Sequence, residues 1–367
     1  MFRSLSRRIA MVVIFAVGVT VIGSRMYEQP RTLSTNEVPI VFWHWRTPAP
    51  DPHDISSAIS KAKMRKLFIR SGQFDSRNSI VERIQPMVGS YPSAPVELHL
   101  AYNATPKLLR EFEQIDPAKV ALSVAGTYRS DLERANKDGA NVVGLQLDFD
   151  VPTRLLSNYA DLLRVLRAAL PPDTNLSITG LPAWVLSNDL ATVLQVVDFW
   201  IPQFYGSEIP LGVDRKIPIS SAQDVARYVA RVRQVGRPFY AGLSAYGYAV
   251  LYGKDGSLIE VRGDIDRQQA GRDSELELIE HSNFPNSDED RIVYRARGDH
   301  VFRGLILRAG ETIVFDIPTV ASLKAAARAV RENAGEQLLG ICIFRLPSGV
   351  DKTNLSIDEV SSALTSK

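Results

Sequence analysis

Apolar residues in this chain fall into short β-rich runs separated by segments with helical spacing. The runs are Val38–Trp45, Lys66–Arg70, Val96–Tyr102, Val120–Ala125, Val142–Phe149, Leu176–Thr179, Val197–Tyr205, Phe239–Ala245 and Gly340–Arg345. Most are near-continuous apolar stretches, the pattern of parallel strands covered on both faces. Between them, Arg154–Leu170 places Leu155, Tyr159, Leu162, Leu163, Leu166 and Leu170 at helical spacing and stops at Pro171–Pro172. Ala222–Val235 and Val320–Glu332 behave alike. Alternating β and α segments imply a parallel sheet, open or closed. The nine runs come close to the eight strands of a (βα)₈ barrel, and no Gly-rich dinucleotide or phosphate loop marks the switch point of an open sheet. A TIM barrel is the expected fold. One run is surplus, and it is expected among those before Val120.

The alternation lapses once, over residues 246–318. Turn signals at Lys254–Asp255–Gly256 and Arg297–Gly298 separate short β-rich runs at Arg291–Tyr294, Phe302–Leu307 and Thr312–Phe315. This reads as a small antiparallel insertion between the last two barrel strands. An insertion that follows a strand end rises from the C-terminal face, where barrel active sites sit, as a cleft wall or as decoration.

The N-terminus follows a different logic. Arg3, Arg7 and Arg8 precede an apolar run from Ile9 to Gly23, which reads as a secretory signal or signal anchor over residues 1–25. A spanning helix wants about 20 apolar residues, so the run is short for an anchor. A polar linker (26–37) leads to the barrel (38–367). The expectation is an exported chain that is periplasmic, held at the inner membrane facing the periplasm, or secreted.

Composition narrows the chemistry. In 367 residues, 45% are hydrophobic and 23% charged, a globular balance. A net charge of +2, with no basic stripe, gives nucleic acid no footing. Cys342 is the lone cysteine and the five histidines are scattered, so neither a disulfide nor a metal or cofactor site is implied. No Gly-x-Ser-x-Gly elbow is present.

The chemistry-bearing residues lie at strand ends. In Val143-Gly144-Leu145-Gln146-Leu147-Asp148-Phe149-Asp150, the period of two sends Gln146, Asp148 and Asp150 to one face, into the barrel and toward its mouth. Two neighbouring buried carboxylates raise one pKa, as a general acid near neutral pH requires. The plainer alternative is a hydrogen-bonded core Asp148 and a helix-capping Asp150. At the end of the first run, Trp43 and Trp45 share a face and His44 takes the other; aromatic faces at a barrel mouth suit sugar rings. Trp184 is a second candidate platform. Arg70, Tyr102 and Tyr246 lie at further strand ends, whereas Trp200 sits mid-strand as core.

These segments resemble glycoside hydrolase family 18, the chitinases and chitinase-like lectins. The run ending in Asp150 is similar to the family's strand-four pattern Asp-Gly-x-Asp-x-Asp-x-Glu. Leu122-Ser123-Val124-Ala125-Gly126 resembles its Ser-x-Gly-Gly strand three, and Gln203-Phe204-Tyr205 its Gln-x-Tyr of strand six. The resemblance implies that Asp150 protonates the leaving oxygen, that Asp148 orients the acetamido group, and that Tyr205 bonds the acetamido carbonyl. Departures are clear: Val143 and Gln146 replace two Asp, and Asp150 replaces the catalytic Glu. An Asp is one methylene shorter, and misplacement by about 1 Å costs on the order of a hundredfold. Arg345 follows the last run where the family presents a Trp floor, and a pairing with Asp150 would hold that acid ionised. The whole chain also resembles a bacterial barrel family, domain of unknown function 3142, through Gly144–Asp150 and Leu176–Pro182. Three functions are therefore open: a glycosidase, a non-catalytic carbohydrate-binding barrel, and an envelope protein with a structural role. The sequence leaves the oligomeric state undetermined.

Overall fold

The computed structural model describes residues 38–348 and 354–365, apart from 207, 209, 264 and 266. The expected leader and linker lie outside the described residues. Eight parallel strands form the barrel: β1 (Ile40–His44), β2 (Lys66–Arg77), β3 (Glu97–Ala104), β4 (Val142–Asp148), β5 (Asn175–Gly180), β6 (Phe199–Pro202), β7 (Phe239–Ser244) and β8 (Leu338–Phe344). Each pairs with the next, and β1 pairs with both β2 and β8, so the ring closes.

Closure sorts side chains by their alternation. Val41, Trp43, Phe68, Ala101, Ile201 and Cys342 point to the axis and pack together. Phe42, Leu67, Leu100, Leu145 and Leu147 point outward, into the core shared with the helices. The N-terminal end of the axis is sealed by His99, which lies between the rings of Phe68 (4.8 Å) and Phe199 (5.4 Å). Burial, and secondarily the charge of Lys66, holds His99 well below the usual histidine range. Lys66 lies 5.3 Å from the ring centroids of both Phe199 and Tyr240 and 3.5 Å from Glu97.

The surplus run is Val120–Ala125 itself, which lies in a 21-residue helix, Pro117–Lys137. Its buried positions, Val120, Ala121, Val124, Ala125 and Tyr128, follow helical spacing, while Leu122 is 59% exposed. Asp116 caps this helix by accepting from the Ala118 amide, and Pro117 occupies the first turn. A six-residue apolar run is too short for its period to be read reliably, and the cap decides it. Leu122–Gly126 is therefore not strand three, which is β3. Asp148 keeps its place at the end of strand four. Strand β2 also runs past Arg70 to Arg77 and turns back as an antiparallel hairpin with Ile80–Ile84.

Between β7 and β8 stands a five-stranded antiparallel sheet built from Tyr248–Tyr252, Leu258–Arg262, Leu276–Asn283, Asp290–Ala296 and Thr312–Ile317. One face has its own core around Leu251, Tyr294 and Phe315. The other packs Tyr248, Val250 and Tyr252 against Ile219, and Tyr205 and Tyr246 lean on that cluster. Two buried carboxyls clasp the sheet to the loop after β6: Asp316 accepts from the Ile219 amide at 2.9 Å and Glu289 from the Ser220 amide at 3.1 Å. Burial pushes Glu289 up to about 7 and raises Asp316 well above its ordinary range, aided by the neighbouring Glu289.

Gly144 leaves no room beside the axial histidine. A Cβ there would lie 2.4 Å from His99 Nδ1 and 2.7 Å from the Asn175 carbonyl oxygen. Gly144→Ala is expected to lower unfolding free energy by about 1–3 kcal/mol, the usual cost of overpacking, as measured by urea denaturation.

Candidate active site at the barrel mouth

The strand ends converge on an open cleft of about 200 Å³, smaller than the roughly 300 Å³ at which small-molecule pockets usually start. Its acidic wall comes from strand four. Gln146, Asp148 and Asp150 follow the period of two, and each serves a different level. Gln146 is fully buried on the axis, where its Oε1 accepts from Trp43 Nε1 and its amide nitrogen faces Ser177 Oγ at 3.4 Å. Asp148 ends β4 at the cleft floor, and its Oδ1 accepts from Thr179 Oγ1 at 2.6 Å. Asp150 stands two residues higher, exposed at the rim.

The electrostatics follow from this stacking. Asp148 is pushed up to about 7, first by burial and then by the adjacent Asp150 charge; the Thr179 hydroxyl and Arg70 pull it part of the way back. Partial burial also raises Asp150. The two groups titrate together rather than independently, because the charge of one raises the other.

Aromatic rings make the opposite wall. Trp43 and Trp45 lie 5.3 Å apart, and Phe344 packs against both. Tyr205 stacks on Phe344 at 5.6 Å, and Tyr246 meets both rings edge-on. Gln203 completes this side, with its backbone amide bound to the Gly180 carbonyl at 2.9 Å. Burial raises the Tyr205 and Tyr246 hydroxyls well above the usual phenol range, so both are neutral donors.

Of the residues singled out from the sequence, Trp43, Trp45, Asp148, Asp150, Gln203, Tyr205 and Tyr246 line the cleft, and Gln146 lies one layer below. Five others do not line it. His44 faces away from the axis, its Nε2 2.8 Å from the Pro48 carbonyl oxygen. Tyr102 points outward and donates to Asp131 of the helix Pro117–Lys137 at 2.8 Å, because its inward neighbours are Ala101 and Asn103. Trp184 is fully buried under the barrel wall, donating to the Val151 carbonyl and packed on Tyr159, so it offers no sugar platform. Arg345 lies one position past the inward alternation; its charge acts on Tyr246, and the floor position belongs to Phe344. Arg70 sits behind Trp45, its guanidinium 5.2 Å from that ring. Sequence reasoning missed Thr179 and Phe344. The signal for both was the alternation itself, since Phe344 follows Cys342 by two and Thr179 follows Ser177.

The closed eight-stranded barrel is similar to the chitinase-like barrels of glycoside hydrolase family 18. Solved structures carry the likeness. The spore cortex-lytic enzyme SleL of Bacillus megaterium superposes with a TM-score of 0.57 at 12% identity, over 90% of this chain and 74% of that one. A chitinase from Chromobacterium violaceum gives 0.56 at 13%, over 90% and 100%. A family 18 chitinase from Cycas revoluta, in complex with (GlcNAc)4, gives 0.54 at 12%, over 89% and 99%. At these identities the shared property is the fold. By sequence, residues 107–280 match the family described as Domain of unknown function (DUF3142), so the resemblance to that family holds over that segment. No curated protein matches the sequence.

A raised carboxyl has a stability signature. The folded state keeps a proton on Asp148 up to about pH 7. The unfolded chain releases it near 4. The contribution of Asp148 is therefore complete below the unfolded value and lost as pH rises through about 7. Asp148→Asn removes this loss. Urea denaturation from pH 4 to 8 is expected to show the variant gaining on the parent as pH rises, then holding a constant difference.

Proposed function

We propose that the barrel binds a glycan across its C-terminal mouth and cleaves it, with Asp150 as general acid and Asp148 as its partner. The observation that carries this reading is the Asp148–Asp150 pair lining one cleft with Trp45, Phe344 and Tyr205, its carboxyls raised by burial. Sugar C–H faces stack on such rings. A carboxyl raised toward neutrality can give its proton to the glycosidic oxygen as the C1–O bond breaks. Water then adds its oxygen to C1 and returns a proton to the carboxylate, which closes the cycle. Asp148 is the partner carboxyl, fixed by Thr179, and the neutral Tyr205 hydroxyl supplies a donor to the sugar. The structural neighbours include a chitinase solved with (GlcNAc)4 and a spore cortex-lytic enzyme, which makes amino-sugar polymers the first substrates to try.

One observation favours a second reading, a carbohydrate-binding barrel without turnover. The acid is an Asp, one methylene shorter than the Glu of the similar family, and a cleft of about 200 Å³ encloses little of a polymer. The apolar leader preceded by Arg3, Arg7 and Arg8 fits an exported protein that meets its glycan outside the cytoplasm.

The deciding experiment presents chitin oligomers, peptidoglycan fragments and other exopolysaccharides to the protein and follows products by mass spectrometry. Cleavage by the parent is expected to fall at least a hundredfold in Asp150→Asn. Equal cleavage by both would remove Asp150 from the mechanism. Binding without cleavage by the parent would favour the second reading.

A further inference from the structure

Arg70 is a cation buried to 5% exposure, and its hydrogen-bond partners are neutral. Nε donates to Asn103 Oδ1 at 3.1 Å, one terminal nitrogen to Thr47 Oγ1 at 2.8 Å, and the other to Gln85 Oε1 at 3.0 Å. The three contacts fix the fork, and its carbon Cζ lies 5.2 Å from the Trp45 ring centroid. A buried guanidinium among neutral acceptors is costly unless an anion compensates it. The anion whose field reaches Arg70 is Asp148, and each stabilises the charged form of the other. The route between them is short. Asn103 and Asp148 are register partners on adjacent parallel strands, both on the inward face, so Asn103 stands between the guanidinium and the acid.

We propose that Arg70 is the positioning residue of this cleft: through Asn103 it orders the acidic wall, and through its contact with the Trp45 ring it orders the aromatic wall. This inference rests on the glycan reading for its purpose, though not for its geometry. One guanidinium connects the two halves of the mouth and never enters the ligand space. Arg70 favours the anionic form of Asp148 against burial and against Asp150, and so lowers the pH at which that carboxyl takes up a proton. Besides Arg70, the groups facing Asp148 are Asp150 beyond its own strand, Thr179 on β5, Tyr159 from the helix Leu156–Ala169, and Tyr205 after β6. Arg70 is the cation among them. Lysine cannot replace it fully, because a single ammonium cannot span Asn103, Thr47 and Gln85 while keeping the contact with the Trp45 ring.

The test follows the Asp148 carboxyl carbon and the Trp45 indole N–H by NMR, during pH titration of the full chain, in the parent, R70M and R70K. R70M is expected to shift the Asp148 midpoint upward, the direction set by losing an opposite charge, and to broaden or shift the Trp45 signal. R70K is expected to hold the midpoint nearer the parent's while still disturbing Trp45. A folded R70M that titrates like the parent, or an unperturbed Trp45 in both variants, overturns the proposal. Should R70M fail to fold, N103A carries the test, and an unchanged Asp148 midpoint there overturns it equally. On any glycan the parent cleaves, the pH profile of R70M must move with the midpoint. A parent that cleaves nothing defeats the functional reading and leaves the titration to decide Arg70.

Discussion

Closing eight parallel strands into a ring gives every strand one face toward a shared axis, and that axis is too narrow for more than a few side chains per level. The occupants of each level are therefore chosen jointly by all eight strands. At the base, Phe68, His99, Phe199 and Tyr240 fill the level with rings, and Gly144 supplies the space the histidine needs. In the middle, Gln146 can be polar because Trp43 and its register partner Ser177 reach it from other strands. At the top the axis opens, Asp148 keeps a partner in Thr179 and Asp150 reaches solvent. The acidic pair is the last step in a graded sequence from apolar plug to solvent.

The same grading explains why the site divides into two walls. Strands β4 and β5 bring carboxylates and a hydroxyl to the mouth, while β1, β6 and β8 bring rings. Burial raises both carboxyls above the ordinary carboxylate range, and Asp150 adds to the rise at Asp148.

Much of this was legible in the sequence because a barrel strand carries its facing in its spacing. Asp148 and Asp150 separated by one residue, and Trp43 and Trp45 likewise, are sufficient to put each pair on one side of a strand. The fold class followed from alternation of segment types, and the likeness to solved chitinase-like barrels agrees with it. Where reading failed, the cause was local. Val120–Ala125 has the composition of a strand, and only the Asp116–Pro117 cap and the exposure of Leu122 reveal a helix. Tyr102 and Trp184 have the right residue type near the right strand end, but each points to the helix layer. Phe344, not Arg345, supplies the ring, a difference of one residue that reverses the face. Arg70 was visible as a strand-end cation, yet its three partners come from Thr47, Gln85 and Asn103, and no spacing rule connects those positions.

The clasp between the insertion and the barrel has a consequence for how such a chain can be rebuilt. Glu289 and Asp316 come from the insertion, but the amides they receive, Ser220 and Ile219, belong to the loop that descends from Tyr205. The insertion is therefore not a cassette. A recombinant chimaera that exchanged residues 246–318 for a relative's appendage would strip two backbone amides of their acceptors and loosen a cleft wall encoded some thirty residues upstream. Transplanting the appendage requires moving the loop with it, so the unit of exchange is the discontinuous pair, and gene-level boundaries drawn at the strand ends would cut through it.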